Sequence, residues 1–176
     1  MPEQLTDRPA TPTGWVAPAL IQAAIAIVAF AVVGALAGVV WEWLWTPPNG
    51  VVVDHQWYVG LAALREEFSG TGLYVVVASV AGLVTGSLCG LFLDRAELVT
   101  LAAVVVGAAL AGWVMVLVGH ALGPPDPQEL AETARDRTPL PGDLRVTGNS
   151  AYIAFPAGAV LGLGPVLLVL SRRDSD

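Results

Sequence analysis

Charge is scarce in this sequence, and one kind of charged residue is missing. Only 13 % of the 176 residues are charged and 55 % are hydrophobic, whereas about 25 % of residues are charged in soluble domains. The chain contains no lysine, so its eight basic residues are all arginine, and its net charge is −7. A nucleic-acid-binding protein needs a basic face. The composition therefore excludes that class and predicts a polytopic membrane protein.

Cysteine and catalytic motifs are scarce as well. Cys89 is the single cysteine, which excludes an intramolecular disulfide and a Cys/His zinc pattern. The sequence has no Walker A, GxSxG, HExxH or CxxC motif. We therefore expect no enzymatic activity, no cofactor and no metal site.

Four long apolar stretches determine the predicted fold. The stretch 72–93 holds about 22 residues without a charge, enough to cross roughly 30 Å of hydrocarbon as a helix. We predict an all-α membrane protein, a four-transmembrane-helix bundle that forms one domain over residues 16–170. Its predicted spans are 16–40, 72–93, 98–122 and 151–170, its loops 41–71 and 123–150, and its tails 1–15 and 171–176.

Small residues recur at every fourth position of the predicted spans, and such faces let helices approach closely in lipid. These rows are Gly82, Gly86 and Gly90 in the second span, Gly34 and Gly38 in the first, Ala103, Gly107 and Ala111 in the third, and Gly158 and Gly162 in the fourth. The short link at 94–97 predicts an antiparallel hairpin of the second and third spans. We therefore expect their two rows to pack together, and the rows of the first and fourth spans to serve an outside partner.

Tryptophans flank the first span. Trp15 precedes it, and Trp41, Trp43 and Trp45 follow it. Tryptophan is enriched at the headgroup level of membranes, so these four residues are predicted interfacial anchors. The alternative is that the cluster forms a ligand-binding platform.

The two long loops are predicted to form one small extracytoplasmic cap. In the first loop, residues 51–53 predict a strand that returns through a turn at 54–56 and a strand at 57–59. A short helix at 61–68, ended by Ser69 and Gly70, follows. In the second loop, Asp126, Pro127 and Glu129 predict a capped helix to about residue 137. A turn at 139–142 and a strand at 144–146 that pairs with 51–53 complete the cap.

The arginines indicate the orientation. Arg8, Arg95, Arg172 and Arg173 lie in the short tails and link, whereas the other four arginines are spread over the two long loops. Because positive charge is enriched in short cytoplasmic segments, we expect a plasma-membrane protein with both termini in the cytoplasm.

Ionisable residues are absent from the middle of each predicted span, which disfavours a stand-alone ion-coupled transporter. His120, at the end of the third span, is either a metal ligand or pH sensor or a boundary residue satisfied by water. His55 stands beside Asp54, but no serine or cysteine nucleophile in a supporting motif accompanies this pair. The roles of His55, His120 and Cys89 stay open at this point.

Short motifs in a fixed order carry a resemblance. They are W-T-P-P at 45–48, G-x-Y at 72–74, A-G-L-V-T-G at 81–86, G-H-A-L-G-P-P at 119–125 and F-P-A-G-A at 155–159. In this order the chain resembles a family of small four-span actinobacterial membrane proteins of unknown function. Proteins of this kind include accessory subunits of Mce-type lipid-import ABC complexes, and the resemblance implies permease-type membrane partners.

The leading functional hypothesis is a non-catalytic accessory subunit that stabilises a larger cell-envelope transport complex, a lipid importer of the Mce/ABC type. The alternative is a stand-alone homo-oligomeric transporter or lipid-binding membrane protein. A third hypothesis is a sensor whose cap binds a ligand.

Overall fold

The structure is a computed structural model that describes residues 16–92 and 97–173. The predicted tail with Trp15, the link with Arg95 and the last three residues lie outside the described residues.

Helices dominate the fold. Four of them are long and apolar enough to cross a membrane, and they match the four predicted spans. They are α1 (Val16–Leu44), α2 (Leu61–Phe92), α3 (Glu97–Leu122) and α5 (Ala154–Arg173), with the short α4 (Pro127–Ala131) and a 3₁₀ helix (Asn149–Ile153) before α5. The architecture is therefore a helical bundle consistent with a membrane protein, as predicted.

The separate helix at 61–68 is a wrong prediction, because α2 continues through Ser69 and Gly70 without a break. Glycine in a helix interior costs only about 1 kcal/mol relative to alanine. At this position the indole Nε1 of Trp41 donates a hydrogen bond to the Gly70 carbonyl at 2.8 Å. A Cβ atom on Gly70 would lie 3.2 Å from the Trp45 indole nitrogen. The packing of the two tryptophans thus favours glycine inside a continuous helix.

The cap contains the predicted hairpin. Strand β1 (Asn49–Val53) pairs antiparallel with β2 (Gln56–Val59). The turn between them consists of Asp54 and His55, which have positive φ angles of 50° and 59°. Two-residue hairpins of the I′ type need positive φ at both central residues, which explains this geometry.

A third strand, β3 (Pro139–Pro141), pairs antiparallel with the other side of β1 and gives the order β2-β1-β3. The two loops therefore do form one sheet, but the predicted strand at 144–146 and turn at 139–142 are wrong. Proline cannot donate to a sheet ladder and is confined to edge strands. Strand β3 is such an edge, and its central Leu140 lies opposite Gly50.

The helix predicted to reach residue 137 is shorter. Asp126 does cap α4, since its carboxylate accepts a hydrogen bond from the Gln128 backbone at 2.9 Å. The helix ends at Ala131, however, and Arg137 adopts a positive φ of 65°. In this conformation the Arg137 backbone N–H donates to the Val52 carbonyl at 2.8 Å. Pairing with the sheet thus replaces the last helical turns.

The long helices pack as two parallel pairs, α1 with α3 and α2 with α5. In the first pair, Gln22 donates a hydrogen bond to the Thr100 hydroxyl at 3.1 Å. Gly38, later in α1, lies against Met115, later in α3, so the two helices run in the same direction. The expected packing of the second span's glycine row on the third span is wrong. The largest fully buried side chains of the bundle include Phe30, Trp41, Tyr74, Met115 and Phe155.

Candidate functional site

The glycine row of α2 packs on the backbone of α5. A Cβ atom on Gly82 would lie 2.4 Å from the Phe155 carbonyl oxygen, and one on Gly86 would lie 2.0 Å from that of Ala159. Real Cβ atoms do not occur that close to a backbone oxygen. Both glycines therefore allow a backbone-to-backbone contact, the mode of association expected for small residues in lipid.

The contact is reciprocal, because the glycines of α5 pack on α2 in the same way. A Cβ atom on Gly158 would lie 2.4 Å from the Ser79 carbonyl oxygen, and one on Gly162 would lie 2.1 Å from that of Leu83. The Ser87 hydroxyl also donates to the Gly162 carbonyl at 3.1 Å. Further along α2, a Cβ atom on Gly90 would lie 3.0 Å from the Val166 side chain.

The α1–α3 pair uses the remaining rows. A Cβ atom on Gly34 would lie 2.5 Å from the Ala111 carbonyl oxygen, and one on Gly38 would lie 2.6 Å from that of Met115. On the other helix, a Cβ atom on Gly107 would lie 3.1 Å from the Phe30 ring.

These contacts correct the proposed partner faces. Gly34 and Gly38 pack on α3, and Gly158 and Gly162 pack on α2. Neither row is available to an outside protein, because each is already covered by a helix of the same chain. A GxxxG pattern identifies a smooth face, but it does not identify the helix that covers it.

Two of the predicted tryptophan anchors are also corrected. The Trp41 side chain is fully buried, and the centroid of its ring lies 5.3 Å from the centroid of the Tyr74 ring. Trp45 is buried as well. Both rings face the protein. Trp43 is 78 % exposed, so interfacial anchoring stays a prediction for this residue.

A small cavity lies where the first span meets the cap. Trp45 and Trp57 line it together with Gly142, Asp143 and Arg145, and its volume is about 20 Å³. A space of this size holds one water molecule. This cavity therefore has no room for a larger ligand.

Arg145 joins two carboxylates of the second loop. Its guanidinium forms ion pairs with Asp126, the cap of α4, and with Asp143, whose side chain is only 8 % exposed. The pKa of Arg145 is raised above its ordinary value chiefly by the hydrogen bond to Asp143. Partial burial opposes this effect, and the charges of both carboxylates add to it. The arrangement holds the loop together.

The histidines and the cysteine do not meet in a reactive cluster. His120 Nδ1 lies 3.0 Å from the Leu144 carbonyl, and a carbonyl can only accept, so Nδ1 carries the proton. His55 occupies the hairpin turn, where the Asp54 backbone N–H donates to Asp136 at 3.0 Å. Cys89 is a buried thiol in α2. Among the residues that the structure describes, no group of three histidine, cysteine or acidic side chains is placed to hold a metal ion.

A groove that was not predicted from the sequence lies on the outer surface between α1 and α2. It has a volume of about 470 Å³ and joins a second hollow of about 490 Å³ nearer the cap, with Val76 lining both. The signal that predicts such a groove is a run of valine and leucine with small residues between them on two consecutive, antiparallel spans. We name it the α1–α2 groove; it is lined by Val33, Leu36, Ala37, Val40, Val76, Val77, Val80, Ala81, Val84, Thr85 and Leu88.

Comparison with protein-family models, curated proteins and solved structures finds no match for this chain.

Proposed function

We propose that this protein is a non-catalytic accessory subunit of a larger membrane transport complex of the cell envelope. Its partners are permease-type integral membrane proteins, and the complex is a lipid importer of the Mce/ABC type. The protein lies in the plasma membrane with both termini in the cytoplasm and its cap on the opposite side.

One observation carries this proposal. Both parallel helix pairs close at backbone contact, and buried side chains such as Phe30, Tyr74 and Phe155 fill the interior between the pairs. The α1–α2 groove opens sideways, toward the surroundings of the bundle. A rigid bundle whose accessible features face outward is suited to bind a neighbour and stabilise it.

The cap supports the proposal with an exposed apolar face. Val51 and Val53 are 42 % and 45 % exposed on β1, and Tyr58, directly opposite Val51, is 54 % exposed. Clustered exposed apolar residues mark interaction sites. This face is positioned to contact the part of a partner that projects from the membrane.

The test is recovery of the tagged protein at native expression in mild detergent, followed by mass spectrometry. We expect permease, ATPase and Mce-type chains in a fixed ratio. The variant Val53→Glu, which charges the exposed cap face, is expected to reduce this recovery. Thr133→Glu, an exposed position of the cap outside that face, is the matched control and is expected to leave it unchanged.

Recovery of the protein alone as a discrete oligomer would contradict the accessory role. It would favour the alternative of a homo-oligomeric transporter or lipid-binding protein, and the next measurement would then be lipid or ion flux with the purified protein in liposomes.

A further inference from the structure

We propose that one water molecule binds in the small cavity between the first span and the cap, where it links the Trp45 indole to the second loop. We name this space the junction cavity; Gly70 of α2 lines it together with Trp45, Asp143 and Arg145. This inference does not rest on the accessory role, because it concerns the folded chain alone.

The hydrogen-bond donor at this site is the indole N–H of Trp45. Two neighbouring indoles have carbonyl acceptors, since Trp41 donates to Gly70 at 2.8 Å and Trp57 donates to Leu140 at 3.1 Å. Trp45 has no such acceptor among the residues that the structure describes, although it is only 9 % exposed. Within the same residues, every side-chain nitrogen or oxygen that water cannot reach has a partner. Water therefore reaches the Trp45 nitrogen, and the junction cavity is the space that this residue lines.

The acceptors lie on the other side of the same gap. The Cβ position of Gly70 is 3.2 Å from the Trp45 indole nitrogen and 3.6 Å from the Arg145 carbonyl oxygen. Both atoms therefore border a space that exists because residue 70 has no side chain. Asp143 adds a largely buried carboxylate to the lining, whose Oδ2 pairs with the Arg145 guanidinium. Its Oδ1 remains able to accept a second hydrogen bond.

The size and the charge of the junction cavity select water as the ligand. Its volume of about 20 Å³ exceeds the roughly 10–15 Å³ that one water molecule needs. A cation would meet the Arg145 guanidinium and an anion would meet the Asp143 carboxylate, so a neutral molecule is favoured. A buried water also needs several polar partners. Here it accepts from the indole and donates to the carbonyl and the carboxylate.

The bound water connects the bundle to the cap. Trp45 directly follows α1, and its backbone N–H still donates to the Trp41 carbonyl at 3.1 Å, so the helix fixes its position. Asp143 and Arg145 belong to the second loop, after β3. A water-mediated hydrogen bond is enthalpically nearly as good as a direct one. The water thus supplies a contact that the Trp45 indole does not make directly.

The experiment is NMR on the full chain with ¹⁵N-labelled tryptophan, in a detergent without exchangeable hydrogens. Cross peaks between water and each indole N–H are recorded in the rotating frame, where direct contact and hydrogen exchange give opposite signs. We expect a contact cross peak at Trp45, whose signal is identified by its absence in Trp45→Phe. Trp41, which donates to a carbonyl, is expected to show none. Trp43, which is 78 % exposed, is expected to show an exchange cross peak.

Two glycine variants locate the water. Gly70→Ala is expected to abolish the contact cross peak of Trp45, because the added methyl group takes the space between the indole nitrogen and the Arg145 carbonyl. Gly72→Ala is the matched control in the same helix. Its Cβ would meet no atom within 4 Å, so the cross peak is expected to remain.

The Trp41 signal reports whether Gly70→Ala keeps the native packing, and if that signal is lost, the wild-type spectrum alone decides. The inference is overturned if wild-type Trp45 shows no water cross peak or only exchange. A contact cross peak that persists in a folded Gly70→Ala variant overturns it as well.

Discussion

At the scale of single residues, the glycines differ by what surrounds them. Gly82, Gly86, Gly158 and Gly162 each exclude a side chain because a backbone oxygen lies within 2.5 Å of the Cβ position. Gly164, in the same helix as the last two, has no atom within 4 Å of that position. Glycine is therefore essential for the helix contact at those four positions and replaceable at position 164.

Gly86→Ala is expected to destabilise the protein by about 1–3 kcal/mol, the cost of overpacking a close contact. Its Cβ would lie 2.0 Å from the Ala159 oxygen, so α2 and α5 must move apart. Gly164→Ala is the control and is expected to be neutral or to stabilise by up to about 1 kcal/mol, because alanine is the better helix former. Unfolding by denaturing detergent, followed by circular dichroism, measures both. Equal stabilities of the two variants would contradict the α2–α5 contact.

Tyr74 provides a second test at this scale. Its hydroxyl donates to the Gly112 carbonyl at 3.1 Å, and its side chain is fully buried. Tyr74→Phe leaves that carbonyl without its side-chain donor, and we expect a loss of about 1 kcal/mol in the free energy of unfolding.

Tyr58→Phe is the matched control for this change. The Tyr58 hydroxyl donates to Gln56 at 2.6 Å on the exposed cap face, where water replaces the lost bond. We expect no measurable change in the free energy of unfolding. A loss of unfolding free energy as large as that of Tyr74→Phe would show that burial does not determine the contribution of the Tyr74 hydrogen bond.

At the scale of elements, the sequence predicted the four spans and the hairpin but not which spans pack together. Uncharged runs of sufficient length predicted the four spans, and the valines with the following turn predicted the hairpin. The partner of each glycine row was not predictable, because Gly82 and Gly86 would fit any helix of matching shape. The continuity of α2 through Gly70 was missed because two tryptophans, distant in sequence, pack there. The edge strand at Leu140 was missed because proline on both sides argues against a strand in general.

The segment that follows β3 is tied to the start of α4 by the ion pairs of Arg145. Arg145→Met removes the cation from Asp126 and from the largely buried Asp143, and we expect it to cost about 1 kcal/mol, since Arg145 itself is half exposed. A raised arginine pKa means that its stabilising contribution is complete below the ordinary value and is lost only as pH rises through the higher folded-state value. This lies far above neutral pH. The difference in melting temperature between wild type and variant is therefore expected to stay constant from about pH 6 to pH 9, and a difference that vanishes within this range would contradict the assignment.

At the scale of the whole molecule, the cap joins one end of the bundle through two loops that share a sheet. Strand β1 follows α1, and β3 precedes α5, so their pairing ties the first half of the chain to the second. The side of the membrane on which the cap lies can be measured directly by labelling an introduced cysteine. The chain has one cysteine of its own, Cys89, and it is buried.

In a Cys89→Ala background, Val53→Cys places a single thiol on the exposed face of the cap. We expect a membrane-impermeant maleimide to label it in intact cells, because the proposed orientation puts the cap outside the cytoplasm. Ser175→Cys is the counterpart at the C-terminus and is expected to react only after permeabilisation. The reverse pattern would overturn the orientation.

The parallel pairing also sets an order of events during synthesis. Gly34 is covered by Ala111, and Gly82 by Phe155, so each smooth face meets its partner only after another span has been made. At about 5–20 residues per second, the 77 residues between Gly34 and Ala111 take about 4 to 15 seconds to translate. During this interval the nascent first and second spans lie in the membrane with bared backbone. The α1–α3 contacts can therefore form once translation has passed Ala111, whereas the α2–α5 contacts form only after Phe155 has been made.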